Sequence, residues 1–251
     1  MTDLLMSLPP QGEFFNTLTY LFLTYYKIIL FGLGVTILLS VVGTVGGFFL
    51  AIGLTGLRSS EIDQKRDRTV TKIFKYLGKK TAKIYVTIFR GTPMIVQAMI
   101  IFYGVAQANI FSWWTPLSAG LIIVTLNTTA YISEVLRGGF ESVDVGQMEA
   151  ARTIGMSRKK AMRHIMWPQA IKNSLPGIGN EFVVNLKDTA VLSVISVVDL
   201  FYAVKQSASD SYRYLEAFII AAIMYLALTY ISSKLIDYLS KRLGETREAS
   251  L

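Results

Sequence analysis

The chain has 251 residues, among them no cysteine and a single histidine, His164. Without cysteine there is no disulfide, thiolate metal site or cysteine nucleophile, and one histidine excludes a cluster of histidine ligands. Charge is also missing from long segments, because residues 28–57, 91–133 and 217–233 contain no Asp, Glu, Lys or Arg. Roughly 20 apolar residues cross a bilayer core, and soluble proteins rarely need such runs. The sequence therefore predicts an all-α membrane protein with several spans.

The uncharged runs predict about five membrane-spanning helices. The longest run fits two spans joined by a turn at residues 109–116, since Trp113 and Trp114 favour the membrane interface. Residues 14–26 are apolar but short, which suggests an interfacial helix packed against the bundle. The alternative is a sixth span that combines them with part of the first run. The predicted spans lie at about 28–57, on both sides of the turn within 91–133, at 174–200 and at 217–236.

The distribution of Lys and Arg predicts the orientation. Residues 58–83, 137–173 and the tail from Lys234 together carry twenty basic residues, whereas the segments on the other side carry three. Basic loops remain in the cytoplasm, so we expect the N-terminus outside and the C-terminus inside, which requires an odd number of spans. The basic charge thus marks topology and lipid headgroups rather than nucleic acid. The predicted regions are an extracytoplasmic arm (1–27), a transmembrane domain (28–240) and a cytoplasmic tail (241–251).

A predicted cytoplasmic loop at about 138–173 contains the most specific pattern. Asp144 can cap a helix that begins near Val145, and Gly155 offers a C-terminal stop. Ser157 can then cap a second helix that ends before Pro168. The pattern predicts two short amphipathic helices with a sharp corner, and an ordinary connecting loop is the alternative.

Residues of this loop resemble the E-A-A signature of permeases of ATP-binding-cassette (ABC) importers. Glu149-Ala150-Ala151 is followed after three residues by Gly155, then by Ile165 and by Trp167-Pro168, with Trp167 where leucine is usual. Further motifs resemble the polar amino acid branch of this family, and the whole resemblance covers about residues 28–240. These motifs are Phe89-Arg90-Gly91-Thr92-Pro93, Arg137-Gly138-Gly139, Gly179-Asn180-Glu181 and Leu186-Lys187-Asp188-Thr189.

The resemblance implies the fold, the function and the partners. It implies the type I importer permease fold in a bacterial inner membrane, and transport of amino acids of the glutamine, histidine, arginine/lysine or cystine class. The partners would be ABC ATPase subunits, an extracytoplasmic solute-binding protein and a second permease subunit, identical or not. The first helix of the loop would be a coupling helix seated in a groove of the ATPase. Its coupling residues would be Glu149, Ala150, Ala151, Gly155, Ile165 and Pro168.

This chain contains no G-x-x-x-x-G-K-[ST] loop for nucleotide phosphates. ATP and Mg would therefore bind the partner ATPase, and we expect no cofactor on the permease itself.

Ionisable residues within the membrane cost free energy, so each of them is a candidate for a functional role. Glu181, Asn185 and Asp188 have i, i+4, i+7 spacing, which places them on one stripe of a helix. We assign these three and Asn127 to the substrate pathway. Arg90, Glu134 and Lys187 are favoured as structural, because Glu134 can pair with Arg137 at i+3 and Lys187 has acidic neighbours.

Two other functions are alternatives to that of an ABC importer permease. A gradient-driven secondary transporter or channel would need no ATPase, but it leaves the E-A-A helix pair without a role. A membrane enzyme would need a base beside a nucleophile, and only Lys187 is available near Ser193 and Ser196.

Overall fold

A computed structural model describes residues 8–59 and 68–245. Residues 1–7 of the predicted arm, 60–67 of the first basic segment and 246–251 of the predicted tail lie outside the described residues. All regular elements in the described part are helical. The α-helices are α1 (Phe14–Ser59), α2 (Thr69–Gly91), α3 (Met94–Ala108), α4 (Pro116–Glu141), α5 (Val145–Thr153), α6 (Arg158–Ala161), α7 (Trp167–Asp188), α8 (Leu200–Ser211) and α9 (Tyr214–Glu245). A π-helix (Met162–Met166) joins α6 to α7, and a 3-10 helix (Thr189–Ile195) follows α7.

Three of the described helices, α1, α4 and α9, are long and apolar enough to cross a membrane. The helices α2 and α3 form a bent pair with an angle of 112° at the break, and this pair would be a fourth candidate. The predicted fourth span corresponds to α7 and the 3-10 helix. This segment is not among the helices apolar enough to cross a membrane, because α7 contains charged and amide side chains along its whole length.

The first helix differs from the prediction. Residues 14–26 are the first turns of α1, which continues to Ser59 without a break, so a separate interfacial helix is not seen. Its 46 residues correspond to roughly 69 Å at about 1.5 Å per residue, which exceeds a bilayer with its headgroups. The predicted boundary between the interfacial helix and the first span lies at Lys27, because its charge interrupts the apolar run there. A single lysine does not interrupt an α-helix, since its backbone forms the same hydrogen bonds.

The turn in the longest uncharged run lies where it was predicted. The helix α3 ends at Ala108 and α4 begins at Pro116, with Asn109 in the left-handed region at φ 47°. The indole N–H of Trp114 donates to the carbonyl of Phe102 at 3.0 Å, which fixes the turn against α3. Proline at the first position of α4 needs no N–H partner, so the helix can begin directly there.

The chain divides into two compact units that share its long helices. The described residues of one unit are 8–41, 95–124 and 183–232. Its core is formed by residues of α1, α8 and α9, including Leu21, Ile29, Leu200 and Ile220. A Cβ atom on Gly32 would lie 2.5 Å from the carbonyl oxygen of Asp199, so α1 requires glycine where this backbone crosses it.

The described residues of the other unit are 42–59, 68–94, 125–182 and 233–245. Ala51 of α1 packs with Ile132 and Leu136 of α4 in its core. The helices α4 and α7 approach so closely that a Cβ atom on Gly139 would lie 2.5 Å from the carbonyl of Ala170. Small residues at helix contacts allow this approach in lipid, where backbone packing replaces the hydrophobic driving force.

Candidate functional sites

The helix α5 is held in place at both ends by the predicted signals. The Asp144 carboxylate accepts a hydrogen bond of 2.8 Å from the N–H of Gly146. At the other end, Gly155 has φ +84°, and the N–H of Met156 donates to the carbonyl of Ala151 at 3.0 Å. This six-to-one bond beside a left-handed glycine is a Schellman motif, which satisfies carbonyls that the helix end leaves open. The predicted helix and its sharp corner are confirmed.

The predicted coupling residues of α5 lie on two different faces. Ala151 is buried, and Met148 packs against the cluster of Val143, Met166 and Ala170. Glu149 and Ala150 are exposed. Two large apolar side chains, Val145 and Ile154, are also exposed, by 71% and 78%. One face therefore anchors α5 to its own unit, and the other presents apolar side chains together with both signs of charge, since Arg152 is exposed as well as Glu149.

The second helix of the loop does not end before Pro168 as predicted. The helix α6 begins at Arg158, with the Ser157 hydroxyl accepting from the N–H of Lys160 at 3.4 Å, and it continues through the π-helix into α7. Pro168 is the second residue of α7, although proline has no N–H to donate to the preceding turn. The π-helix lies directly before it, so the hydrogen-bond ladder widens there and the chain remains helical.

The remaining members of the coupling set lie along this continuous helix. Ile165 is partly buried within the π-helix, whereas Pro168 is exposed. Trp167 packs edge-on against Phe140 of α4, with ring centroids 4.7 Å apart. The indole at the position where the family usually has leucine thus joins α7 to α4.

The predicted pathway residues of α7 all belong to one uninterrupted helix. Their i, i+4, i+7 spacing therefore places them on one side of it. Asn185 is almost fully buried, Glu181 is partly buried and Asp188 at the end of α7 is exposed. Lys187 is also exposed. The stripe is polar along its whole length, and its exposure falls from Glu181 to Asn185 and rises again at Asp188.

Asn127 lies on α4 and is buried, with 8% of its surface exposed. Seven residues later, Glu134 occupies the same side of α4, with Tyr131 between them. The guanidinium of Arg90 lies 5.6 Å from the Tyr131 ring and 3.6 Å from the Glu134 carboxylate, so both side chains face α2. A cation over an aromatic face is a favourable contact.

Three arginines surround Glu134. Arg137 donates to its carboxylate at 2.8 Å in the predicted i, i+3 pair, and Arg58 at the end of α1 also donates to it. Arg90 is the third cation, at 3.6 Å. Arg137 makes a second ion pair with Glu141. One carboxylate therefore joins the ends of α1 and α2 to α4.

Asp199 is a buried carboxylate that was not among the predicted site residues. It caps α8 by accepting a hydrogen bond of 2.9 Å from the N–H of Tyr202, and the Tyr225 hydroxyl lies 3.5 Å from its other oxygen. Beside it, the N–H of Leu200 donates to the Thr36 hydroxyl at 3.1 Å. An acidic residue directly before a helical pattern is the signal that could have found it.

Comparison with known proteins identifies related transport proteins. The family described as "Binding-protein-dependent transport system inner membrane component" matches residues 72–245. The nopaline transport system permease protein NocM of Agrobacterium fabrum is 35% identical over 209 residues, which cover 80% of this chain and 81% of NocM. The arginine transport system permease protein ArtQ of Bacillus subtilis is 34% identical, over 81% of this chain and 86% of ArtQ.

Solved structures share the same architecture. The crystal structure of an amino acid ABC transporter with histidines contains a chain that is 33% identical, with a TM-score of 0.79. The match covers 93% of this chain and all of that one. An inward-facing MetNI methionine ABC transporter matches at 16% identity with a TM-score of 0.70, which reflects the fold alone. By its helices and by these matches, the chain belongs to the inner membrane components of binding-protein-dependent transport systems.

Proposed function

We propose that this chain is the permease subunit of an ATP-driven importer for polar amino acids, of the glutamine, histidine, arginine/lysine or cystine class. It would form the translocation pathway with a second, identical or similar permease in a bacterial inner membrane. The N-terminus would lie outside and the C-terminus in the cytoplasm, where most Lys and Arg residues then fall. Relatives with permease names for nopaline, arginine and glutamine support this substrate class.

The exposed face of α5 carries the proposal. A coupling helix must be fixed to its own subunit on one side and free to dock on the other. Ala151 is buried on the first side, while Glu149, Ala150 and Ile154 are exposed on the second. The Asp144 cap and the Gly155 corner hold both ends of the helix. The face would fit a groove of the ATPase subunit, with Glu149 binding polar groups and Ala150 allowing close approach.

Asn127, Glu181, Asn185 and Asp188 would line the pathway. An amino acid presents an ammonium group that needs acceptors, and carboxylate and amide oxygens supply them. A cationic or amide side chain would add to that demand, so the acidic stripe on α7 favours such substrates. Buried Asn127 and Asn185 would act when the pathway opens toward them, whereas Asp188 is already exposed.

The partners would supply the other steps. A solute-binding protein would deliver the amino acid from outside, and ATP with Mg would close the ATPase dimer inside. The coupling helices would then transmit this closure to the spans, and no covalent chemistry would take place in this chain.

Co-purification of the ATPase tests the docking role. The full chain is purified from membranes of its host with and without Glu149→Lys, and Asp237→Lys on α9 is the matched control because Asp237 is also acidic and exposed. We expect the ATPase to be lost with Glu149→Lys and retained with the control. Retention of the ATPase by both variants would refute docking through Glu149. Uptake by the chain with no ATPase present would favour the gradient-driven alternative.

Uptake assays test the pathway residues separately. With the complete transporter in proteoliposomes, Asp188→Asn should raise the substrate concentration needed for half-maximal uptake, because the amide offers the ammonium group one acceptor without charge. Lys187→Gln is the control from the adjacent position. Wild-type uptake by Asp188→Asn would return Asp188 to a structural role, and the co-purification result would be unaffected.

A further inference from the structure

Asp199 is an acidic side chain for which the proposed transport mechanism has no role. None of its surface is exposed, although carboxyl groups are almost never fully buried unless they are paired. The ion pairs among the described residues join Glu134 and Glu141 to arginines, and none of them includes Asp199. The burial of this carboxyl group is therefore not compensated by a positive charge.

Three helices enclose the Asp199 side chain. From α8, the N–H of Tyr202 lies 2.9 Å from one carboxyl oxygen, and from α9 the hydroxyl of Tyr225 lies 3.5 Å from the other. From α1, the Thr36 hydroxyl accepts a hydrogen bond of 3.1 Å from the N–H of the next residue in the chain. Gly32 lies so close that a Cβ atom on it would be 2.5 Å from the Asp199 carbonyl oxygen. The residues that meet here all belong to one unit, and we call this place the three-helix junction.

The charged side chains of these three helices lie away from the three-helix junction. Tyr225 is the titratable side chain that faces Asp199 from α9, and Thr36 of α1 has no charge. No charged side chain in the described part of the chain acts on the Asp199 carboxyl group. The charged residues nearest in sequence to the junction contacts are Lys27 of α1, Lys205 and Asp210 of α8, Arg213 directly before α9, and Glu216 of α9.

An ionised carboxylate is unfavourable in these surroundings. An unpaired charge in a low-dielectric interior costs so much free energy that the group binds a proton instead. The N-terminus of α8 and the N–H of Tyr202 stabilise negative charge, and they offset part of this cost. The Tyr225 hydroxyl offsets little, because a hydrogen bond from a hydroxyl to an ionised oxygen is about 2.5–2.7 Å long, whereas this distance is 3.5 Å.

We propose that Asp199 is a proton-binding site. Its carboxyl group binds a proton at the three-helix junction, at a mildly acidic pH at which exposed aspartates are ionised, and releases the proton when α8 separates from α1 and α9. The protonated group retains an oxygen that accepts from the Tyr202 N–H, and it gains an O–H donor. Because water reaches the carboxyl group once the helices separate, the open junction is favoured at higher pH.

Infrared difference spectroscopy tests the protonation. The full chain in detergent is compared with Asp199→Asn and Asp210→Asn at about pH 5, where an ordinary aspartate is ionised. A neutral carboxyl group has a C=O stretching band that is separate from the bands of carboxylates. We expect this band to be lost with Asp199→Asn and retained with Asp210→Asn, the matched control, since Asp210 is an exposed aspartate of the same helix. An undiminished band in Asp199→Asn would overturn the proposal.

The pH dependence of unfolding tests the release of the proton. In the unfolded chain Asp199 is an ordinary aspartate, which loses its proton above about pH 4. The folded chain then holds one proton more, so its stability falls as the pH rises, until the buried group ionises as well. By SDS titration in mixed micelles, the unfolding equilibrium constant of the wild type relative to Asp199→Asn should rise roughly tenfold between about pH 5 and about pH 7.5. A ratio that is constant or falls would overturn the proposal, because Asp199 would then be ionised in the folded chain.

Asp199→Ser is a second variant in case Asp199→Asn does not fold. A serine hydroxyl also caps a helix and has no charge, so both measurements have the same expected results with it. The wild type relative to Asp210→Asn is again the control, and this ratio should change much less with pH. Both measurements use the chain without ATPase or substrate, so their outcome is independent of the proposed transport function and of docking through Glu149.

Discussion

Glu134 and Asp199 are both carboxylates in a membrane protein, but they are stabilised in different ways. Glu134 lies among three arginines on the ends of α1, α2 and α4. Asp199 is fully buried, and its carboxylate accepts hydrogen bonds from neutral donors, the N–H of Tyr202 and the hydroxyl of Tyr225. The first joins helices through opposite charge, whereas the second begins a helix through backbone hydrogen bonds.

The difference indicates what each site tolerates. Removal of an acid from an arginine cluster leaves cations that repel one another and lose their partner. Removal of an acid that caps a helix leaves open N–H groups, which another capping side chain can satisfy. We therefore expect the free energy of unfolding to depend on the negative charge at Glu134. At Asp199 it should depend only on an acceptor oxygen. Substitutions at four positions test this contrast.

The largest effect is expected for Glu134→Gln. An unpaired charge in a buried pair costs about 3–5 kcal/mol, and because Glu134 is 16% exposed we expect about 3 kcal/mol. The free energy of unfolding is measured by SDS titration in mixed micelles. Glu141→Gln is the control, since Glu141 pairs with the same Arg137 but is 67% exposed, and it should cost under about 1 kcal/mol. Equal losses would show that the cluster acts as an ordinary surface pair.

The next effect is expected for Asp199→Ala, at about 2 kcal/mol, because α8 loses its cap and the Tyr225 hydroxyl loses its acceptor. Asp199→Asn retains an acceptor oxygen and should cost less than half as much. The same titration compares the two variants. If Asn is as harmful as Ala, charge is essential at this site as well, and the contrast with Glu134 fails.

Gly32→Ala tests the backbone contact next to Asp199. The added methyl group would lie 2.5 Å from the Asp199 carbonyl, and overpacking of this kind costs about 1–3 kcal/mol. Gly34→Ala is the matched control, because a Cβ atom at this position of α1 would meet only open space. There alanine should be neutral or stabilising by up to about 1 kcal/mol, since it favours helix. The thermal unfolding midpoint of each variant in detergent measures the difference, and similar midpoints would contradict the close packing.

The smallest effect is expected for Tyr225→Phe. The hydroxyl lies 3.5 Å from the carboxylate, at the outer limit of a hydrogen bond, so its loss should cost under about 1 kcal/mol. SDS titration again provides the measurement, with Tyr238→Phe on the exposed side of α9 as control. A loss as large as that of Asp199→Ala would mean that the hydroxyl, rather than the α8 cap, carries the site.

Local signals in the sequence predicted the first helix and the corner of the loop at about 138–173 well. Asp144, Gly155 and Ser157 act within a few residues of their own positions, so capping rules were enough to place α5 and the corner. The prediction for Pro168 was wrong because the rule that proline ends a helix assumes an α-helical ladder. The π-helix before it accommodates the missing N–H.

Contacts between distant segments could not be predicted in the same way. The pair of Glu134 and Arg137 follows from i, i+3 spacing, but Arg58 is 76 residues from Glu134 and meets it only through packing of α1 on α4. The contact of Asp199 with Tyr225 likewise joins residues 26 positions apart, although its cap of α8 is local. The assignment of Asn127, Glu181, Asn185 and Asp188 to the pathway stays a prediction.

The π-helix of Met162–Met166 also determines in which direction the side chains of α7 point around the helix axis. A wider turn accommodates one extra residue, so α7 is rotated about its axis by about 100° relative to an uninterrupted α-helix. The azimuth of Glu181, Asn185 and Asp188 is therefore decided about four turns earlier, inside the loop that contains the E-A-A motif. Deletion of one residue from the π-helix would turn the polar stripe by more than a quarter of a circle, although none of its residues would change.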